Sequence, residues 1–158
     1  VIVLLLFSSA FAVTEIHQKN YVISSKNAIF NQLDQTASYE GNVTVSENKF
    51  TIRGETLKIS YDKGRMKELF VRGLPLIYEE KPNRKVEKLS IKASQMQYQT
   101  EKNQIQFKGN VKLERNRDTV TADALKYDLE TKEFSATGTD ENKPVRLTIN
   151  SLAKSKAD

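Results

Sequence analysis

Two stretches of the chain alternate between apolar and polar residues with a period of two. Ala37, Tyr39, Gly41, Val43 and Val45 alternate with Ser38, Glu40, Asn42 and Thr44. Ile105, Phe107, Gly109, Val111 and Leu113 alternate in the same way with Gln106, Lys108, Asn110 and Lys112. That period places each apolar set on one face of an extended strand, so both stretches predict β-strands with one buried and one wet face. Polar clusters at Leu33-Asp34-Gln35, Asp62-Lys63-Gly64, Glu101-Lys102-Asn103 and Glu130-Thr131-Lys132 predict the turns between strands. A glycine in mid-strand marks a bulge or a sharp bend, so the chain is expected to turn a corner at Gly41 and at Gly109.

The pattern repeats. Residues 23–59 align with 91–127 at a constant offset of 68 and without a gap. Tyr39-Glu40-Gly41-Asn42-Val43 then lies over Phe107-Lys108-Gly109-Asn110-Val111, and Ile52-Arg53-Gly54-Glu55-Thr56-Leu57 over Val120-Thr121-Ala122-Asp123-Ala124-Leu125. Inside this long unit an aromatic residue precedes a glycine by eleven or twelve positions, from Phe30, Tyr61, Tyr98 and Tyr127. Periods of this size signal repetitive architectures. Lys85 to Gln99 and Leu125 to Phe134 contain good helix formers, but their repeat partners are β-rich. The chain therefore reads as all-β, and a sandwich, a barrel or a solenoid would each satisfy the pattern.

Composition changes this picture in one respect. Of the 158 residues 38% are hydrophobic, but Val1 to Ala12 holds ten of them and the rest of the chain is only about 34% apolar. Globular proteins run to roughly 45–50% on a count that includes glycine, so the core is expected to be thin. Val1 to Phe7 is an unbroken apolar run that ends in Ala10-Phe11-Ala12, which reads as the apolar region and cleavage site of a secretory leader. With no Met and no basic segment ahead of the run, the leader is expected to begin before Val1. The organisation expected is a leader over 1–12, one β domain over 13–150 and a loose polar tail over 151–158. The chain has no Cys and a single His, His17, which excludes disulfide scaffolds, thiol chemistry and Cys- or His-rich metal sites; no cofactor is expected.

The ordered set of Tyr/Phe-x-Gly-Asn-Val units, the Ile/Val-x-Gly/Ala-Asp/Glu-x-Leu strands, Gly73-Leu74-Pro75 and Ala93-Ser94-Gln95-Met96-Gln97-Tyr98 resembles the OstA-like domain family of lipopolysaccharide transport proteins. The resemblance covers residues 20–150. It implies an open, twisted antiparallel β-jellyroll of about sixteen short strands, built from an internal duplication. It also implies an apolar interior that takes the acyl chains of lipopolysaccharide, in the periplasm of a Gram-negative cell. Partners implied are further copies of the chain stacked head to tail, together with inner-membrane LptC-like and outer-membrane LptD-like OstA-domain proteins. LptC-like relatives keep an N-terminal helix and LptD-like ones continue into a long barrel, so Ala10-Phe11-Ala12 and the end at Asp158 point away from both.

Candidate residues for lining that interior are Ile23, Phe30, Tyr39, Val43, Val45, Ile52, Leu57, Ile59, Met96, Tyr98, Ile105, Phe107, Val111, Leu113, Val120, Leu125 and Tyr127, each of which ordinary core packing would also explain. Strand addition needs uncovered edges. Tyr21, Val22 and Ile23 open the first strand and Val145, Leu147 and Ile149 close the last, so these are the expected docking edges. The net charge is +5, and basic clusters at Lys81, Arg84, Lys85 and Lys88 and at Lys112, Arg115 and Arg117 would suit an acidic lipid or a solvated rim equally. Without aromatics interleaved among them they do not suggest nucleic acid. The acids Glu55 with Asp123 and Asp62 with Asp128 recur at equivalent places, as strand-end residues do, and no catalytic motif accompanies them. The competing classes are an exported structural or adhesive β-repeat protein with a filled core, and a glycan-acting enzyme built on those acids.

Overall fold

Every polar cluster expected to turn the chain does so, and each holds a residue at positive φ: Gln35 at 50°, Lys63 at 48°, Asn103 at 49° and Lys132 at 61°. At Lys63-Gly64 both central residues are positive, the second at 75°. That is the type I′ geometry whose twist matches a two-residue hairpin. Asn31 and Asp128 open two of the other turns by the same device: a side-chain oxygen accepts two backbone N–H groups, from Leu33 and Asp34 and from Glu130 and Thr131. The computed structural model describes residues 20–85 and 87–150; the expected leader over 1–12 and tail over 151–158 lie outside them.

Among the described residues there are ten strands and no helix: β1 (Val22–Ser24), β2 (Asn27–Asn31), β3 (Thr36–Ser46), β4 (Phe50–Asp62), β5 (Arg65–Glu80), β6 (Leu89–Gln99), β7 (Gln104–Arg115), β8 (Asp118–Asp128), β9 (Phe134–Thr137) and β10 (Arg146–Thr148). All belong to one antiparallel sheet in the order β1-β3-β4-β5-β6-β7-β8-β10, with β2 also paired to β3 and β9 to β8. Each of the two edges is thus a strand broken in two, β1 with β2 and β9 with β10.

The ladder slips once near the middle of every long pair: at Glu40/Val43, Arg53/Thr56, Arg72/Leu76, Lys92/Gln95 and Lys108/Val111. These irregularities form a line across the sheet, occupied by Gly41, Gly54, Gly73, Ala93, Gly109 and Ala122. Bulges bend a strand and sharpen its twist, so a line of them folds the sheet over on itself. The count of about sixteen strands expected above is not met: the described residues hold ten. β3 to β8 each run through the fold line without losing their pairing, so each is one long kinked strand rather than two short ones.

Folding along that line makes two facing layers. Tyr78 lies beyond the line on β5 and Phe107 before it on β7, and their rings meet edge to face at 5.6 Å. Between the layers lies one apolar cluster that includes Val45, Ile52, Leu57, Leu76, Ile91, Met96 and Phe107, all shielded from water. Neighbours along each ladder pair inner face to inner face, as in Val45 with Ile52, Tyr78 with Ile91 and Met96 with Phe107. The alternation read from the sequence is the alternation between this interior and solvent.

Candidate functional site

Twelve of the seventeen candidate lining residues are buried in the interior: Val43, Val45, Ile52, Leu57, Ile59, Met96, Ile105, Phe107, Val111, Leu113, Leu125 and Tyr127. Ile23, Tyr39, Tyr98 and Val120 are half-buried and pack against the same cluster. Phe30 is not enclosed. It faces inward opposite Ala37, but it stands on edge strand β2 with no strand outside it, and it is 68% exposed. Sequence reasoning missed Leu69, Val71, Leu76, Tyr78, Leu89, Ile91 and Ala93, which the structure places in the same interior. Most of them lie on β5 and early β6, largely outside the two aligned copies.

The interior is closed along its length and opens at two places. At the first edge Phe30 meets Tyr39 edge to face at 5.9 Å, and Tyr61 is close enough to Tyr39 to act on it. Partial burial, and secondarily Tyr61, raises the Tyr39 hydroxyl above its ordinary pKa of 10.0. A cleft of about 450 Å³ lies beside them, lined by Phe30, Thr36, Tyr61 and Gly64 among others. At the last edge Leu147 pairs with Val120 and continues the inner row, yet it is 61% exposed, and Ile149 is 66% exposed. Of the remaining edge residues, Tyr21 and Ile23 are half-buried, while Val22 and Val145 are exposed. The two edges are complementary in layout: apolar inner-face positions are bare in one layer at the start of the sheet and in the other layer at its end.

The interior also carries a polar node. Glu80 is the one buried charged residue among the described residues, 9% exposed at the end of β5. Tyr78, on the same face of the same strand, donates its hydroxyl to Glu80 Oε1 at 2.8 Å. Tyr127, from the facing layer, stands near enough to the Glu80 carboxyl group to feel its charge. Burial first, and Glu80 second, pushes both tyrosine hydroxyls far above their ordinary range. The alternation Leu76, Tyr78, Glu80 held the signal for this placement, but a terminal Glu reads as a solvated strand end.

The charged groups outside the core sort differently. Lys81, Arg84, Lys85 and Lys88 are all exposed on the segment between β5 and β6. Lys112 pairs with Glu114, and Arg115 lies 3.9 Å from Glu87. The Lys112 ammonium group, as a hydrogen-bond partner, holds Glu114 below the usual carboxylate range. The recurring acids are not brought together. Asp128 is tied into its turn, Glu55 and Asp62 face solvent, and Asp123 borders an outer cleft of about 330 Å³ with Lys112, Lys143 and Arg146. No group of three or more acidic or His side chains among the described residues converges in a way that would hold a metal ion.

One antiparallel sheet, folded along a line of bulges around an apolar interior and left open at both edges, defines a protein of the open β-jellyroll class. The model of the LptA/(LptD N-terminal domain) LPS transport protein family matches residues 22–133, and the chain belongs to that family. Among solved structures it is similar to LptH, the LptA-homologous periplasmic component of the lipopolysaccharide transport device of Pseudomonas aeruginosa. The TM-score is 0.75 at 19% identity, over 84% of this chain and 96% of that one. The curated proteins hold no match to this chain.

Proposed function

We propose that the chain is a periplasmic carrier of lipopolysaccharide and a component of a bridge between inner and outer membranes, with the lipid's acyl chains held between the two layers of the folded sheet. The observation that carries this reading is the apolar interior continuous with bare apolar inner-face positions at both edges, Phe30 at one and Leu147 at the other. Acyl chains entering there leave water at a gain of about 25 cal/mol per Å² of apolar surface. Transfer from one carrier to the next has to be nearly level in free energy, which stacked copies with like interiors provide. LptC-like and LptD-like OstA-domain proteins would end such a stack, and the chain itself would form its middle by head-to-tail strand addition. No catalytic step is part of this function.

The inner side chains of the two layers pack against one another, so the layers have to part for a chain to enter. An exported structural or adhesive protein with a permanently filled core would have the same closed interior and would neither bind nor exchange lipid. Photo-crosslinkers at Tyr39, Met96, Phe107 and Lys112 separate the two. The carrier reading expects lipopolysaccharide adducts from the first three and none from outward-facing Lys112. Adducts from none of the four, or equally from Lys112, would overturn it.

A further inference from the structure

The two free margins of the folded sheet carry opposite charge. The fold line crosses β3 to β8 near their middles, so both sets of strand ends finish on the side away from it. One margin consists of the β3–β4, β5–β6 and β7–β8 connections; over residues 46–50, 80–89 and 115–118 it holds seven cations against four carboxylates. The other consists of the turns at 32–35, 62–65, 100–103 and 128–133, and holds six carboxylates against four cations. The basic margin is continuous. The Lys81 N–H donates to the Lys49 carbonyl oxygen at 2.9 Å, and Leu89, next to Lys88, is the ladder partner of Arg115. Lys49, Lys81, Arg84, Lys85, Lys88 and Arg117 are exposed, and none of them forms an ion pair among the described residues. This margin also borders the interior directly. Lys81 follows buried Glu80, Lys88 precedes buried Leu89, and Lys49 precedes Phe50, whose ring stacks on buried Tyr78 at 5.7 Å.

Unpaired cations along one margin repel one another, and an anion laid across them is attracted by several at once, within a screening length of about 8 Å at physiological ionic strength. An acyl chain that slides between the layers leaves its polar head in water, because an apolar interior cannot solvate it. The head then lies along a margin, and charge decides which one. We infer that the basic margin is the seat of an anionic headgroup, a phosphate or carboxylate borne by the same lipid whose chains lie between the layers. The acidic margin keeps that headgroup from settling on the other side. The lipid is thereby held in one orientation, with its head over the β5–β6 connection. This inference rests on the carrier function proposed above.

The test measures binding of dissolved myristoyl lysophosphatidic acid, monomyristoyl glycerol and glycerol phosphate to the full chain. The first two differ by one phosphate group, and the last is that head without its chain. The wild type is expected to bind the phosphorylated lipid about tenfold more tightly than the glyceride, as several exposed ion pairs together give, with the advantage shrinking at high salt. Lys81→Gln, Arg84→Gln, Lys85→Gln and Lys88→Gln combined should bring the ratio to about one. Glu101→Gln with Glu130→Gln should leave it at or above the wild-type value. Equal wild-type affinity for the two lipids, or a preference undiminished by the four substitutions, overturns the headgroup inference and leaves the carrier reading standing. Glycerol phosphate bound as tightly as the lysophosphatidic acid would make the margin a free-phosphate site. Protein that co-sediments with phosphatidylglycerol vesicles but shows no preference between the dissolved lipids would make it a membrane contact. Either result overturns the inference. Binding of neither lipid overturns both readings.

Discussion

Gly41 and Gly109, 68 residues apart, hold the same left-handed backbone, at φ of 83° and 81°, and each is followed by an asparagine at 47°. Both pairs sit on the fold line, where β3 slips against β4 and β7 against β8. Two consecutive residues at positive φ make the corner that lets one sheet become two layers.

The two glycines differ in what an added methyl group would meet. At Gly109 it would lie 2.8 Å from Ser94 Oγ and 2.9 Å from Ser94 Cβ, a short side chain with nowhere to go. At Gly41 it would lie 2.8 Å from Lys26 Cδ and 3.0 Å from Lys26 Cβ and Cγ, on a long exposed side chain whose outer part can swing into solvent. Left-handed backbone alone costs an L-residue roughly 1–2 kcal/mol. Gly41→Ala is expected to lose about that much stability in chemical denaturation, and Gly109→Ala about 1 kcal/mol more because of the clash. Equal losses at the two sites would show that Ser94 does not constrain the corner.

Phe30 and Phe107 share a residue type and an inward-facing register but differ in exposure. Phe107 is fully buried against Tyr78, and Phe107→Ala should cost about 3–5 kcal/mol through the cavity it leaves. Phe30 stands in the open at the first edge, and Phe30→Ala should change stability by less than about 1 kcal/mol. If that edge admits acyl chains, the same substitution slows lipid uptake measured by fluorescence exchange. A Phe30→Ala protein that takes up lipid at the wild-type rate would place the entrance elsewhere.

The interior was legible wherever the alternation was strong, as at Val43 and Val45 or Val111 and Leu113, because period two leaves a residue only one of two faces. The corner was legible for a related reason, since a glycine inside a strand has few other uses. The exposure of Phe30 was not legible, because register gives the face a side chain points to and says nothing of whether another layer covers it. Glu80 was overlooked because charge outweighed alternation, although the hydroxyl that makes its burial tolerable belongs to Tyr78, two residues before it on the same face. Strand number was overcounted because a bulge and a strand end look alike in sequence, and only the pairing across Gly41 and Gly109 tells them apart.

The two edges make a prediction about assembly. A head-to-tail interface is heterologous, so blocking one edge leaves the other competent. Leu147→Lys with Ile149→Lys should abolish concentration-dependent self-association in sedimentation experiments, and Val22→Lys with Phe30→Lys should do the same from the other end. All four side chains are exposed, so the protomer should keep its far-ultraviolet spectrum. Mixed together, the two double variants should form dimers and nothing larger, since each supplies one intact edge. Larger assemblies from either variant alone would rule out these edges as the contact.

The tyrosines of the interior set the alkaline limit of the fold. Burial, with smaller contributions from Tyr98 and Glu47, pushes Tyr21 up to about 12, and Tyr78 and Tyr127 are raised further by burial and by Glu80. A hydroxyl whose pKa is higher in the folded state than in the unfolded chain contributes stability that is complete below the unfolded value, near 10, and is lost as pH rises toward the folded one. Stability measured in denaturant should therefore be flat through neutral pH and fall steeply above about pH 10, with tyrosinate absorbance rising together with unfolding. Tyr78→Phe and Tyr127→Phe remove groups that ionise only in the unfolded chain, so each should lessen the steepness of that fall. The Tyr78→Phe variant starts from lower stability at neutral pH, because Glu80 then loses the hydroxyl that donates to it. If either variant lost stability with pH as steeply as the wild type, its hydroxyl would not be a buried group that ionises only on unfolding.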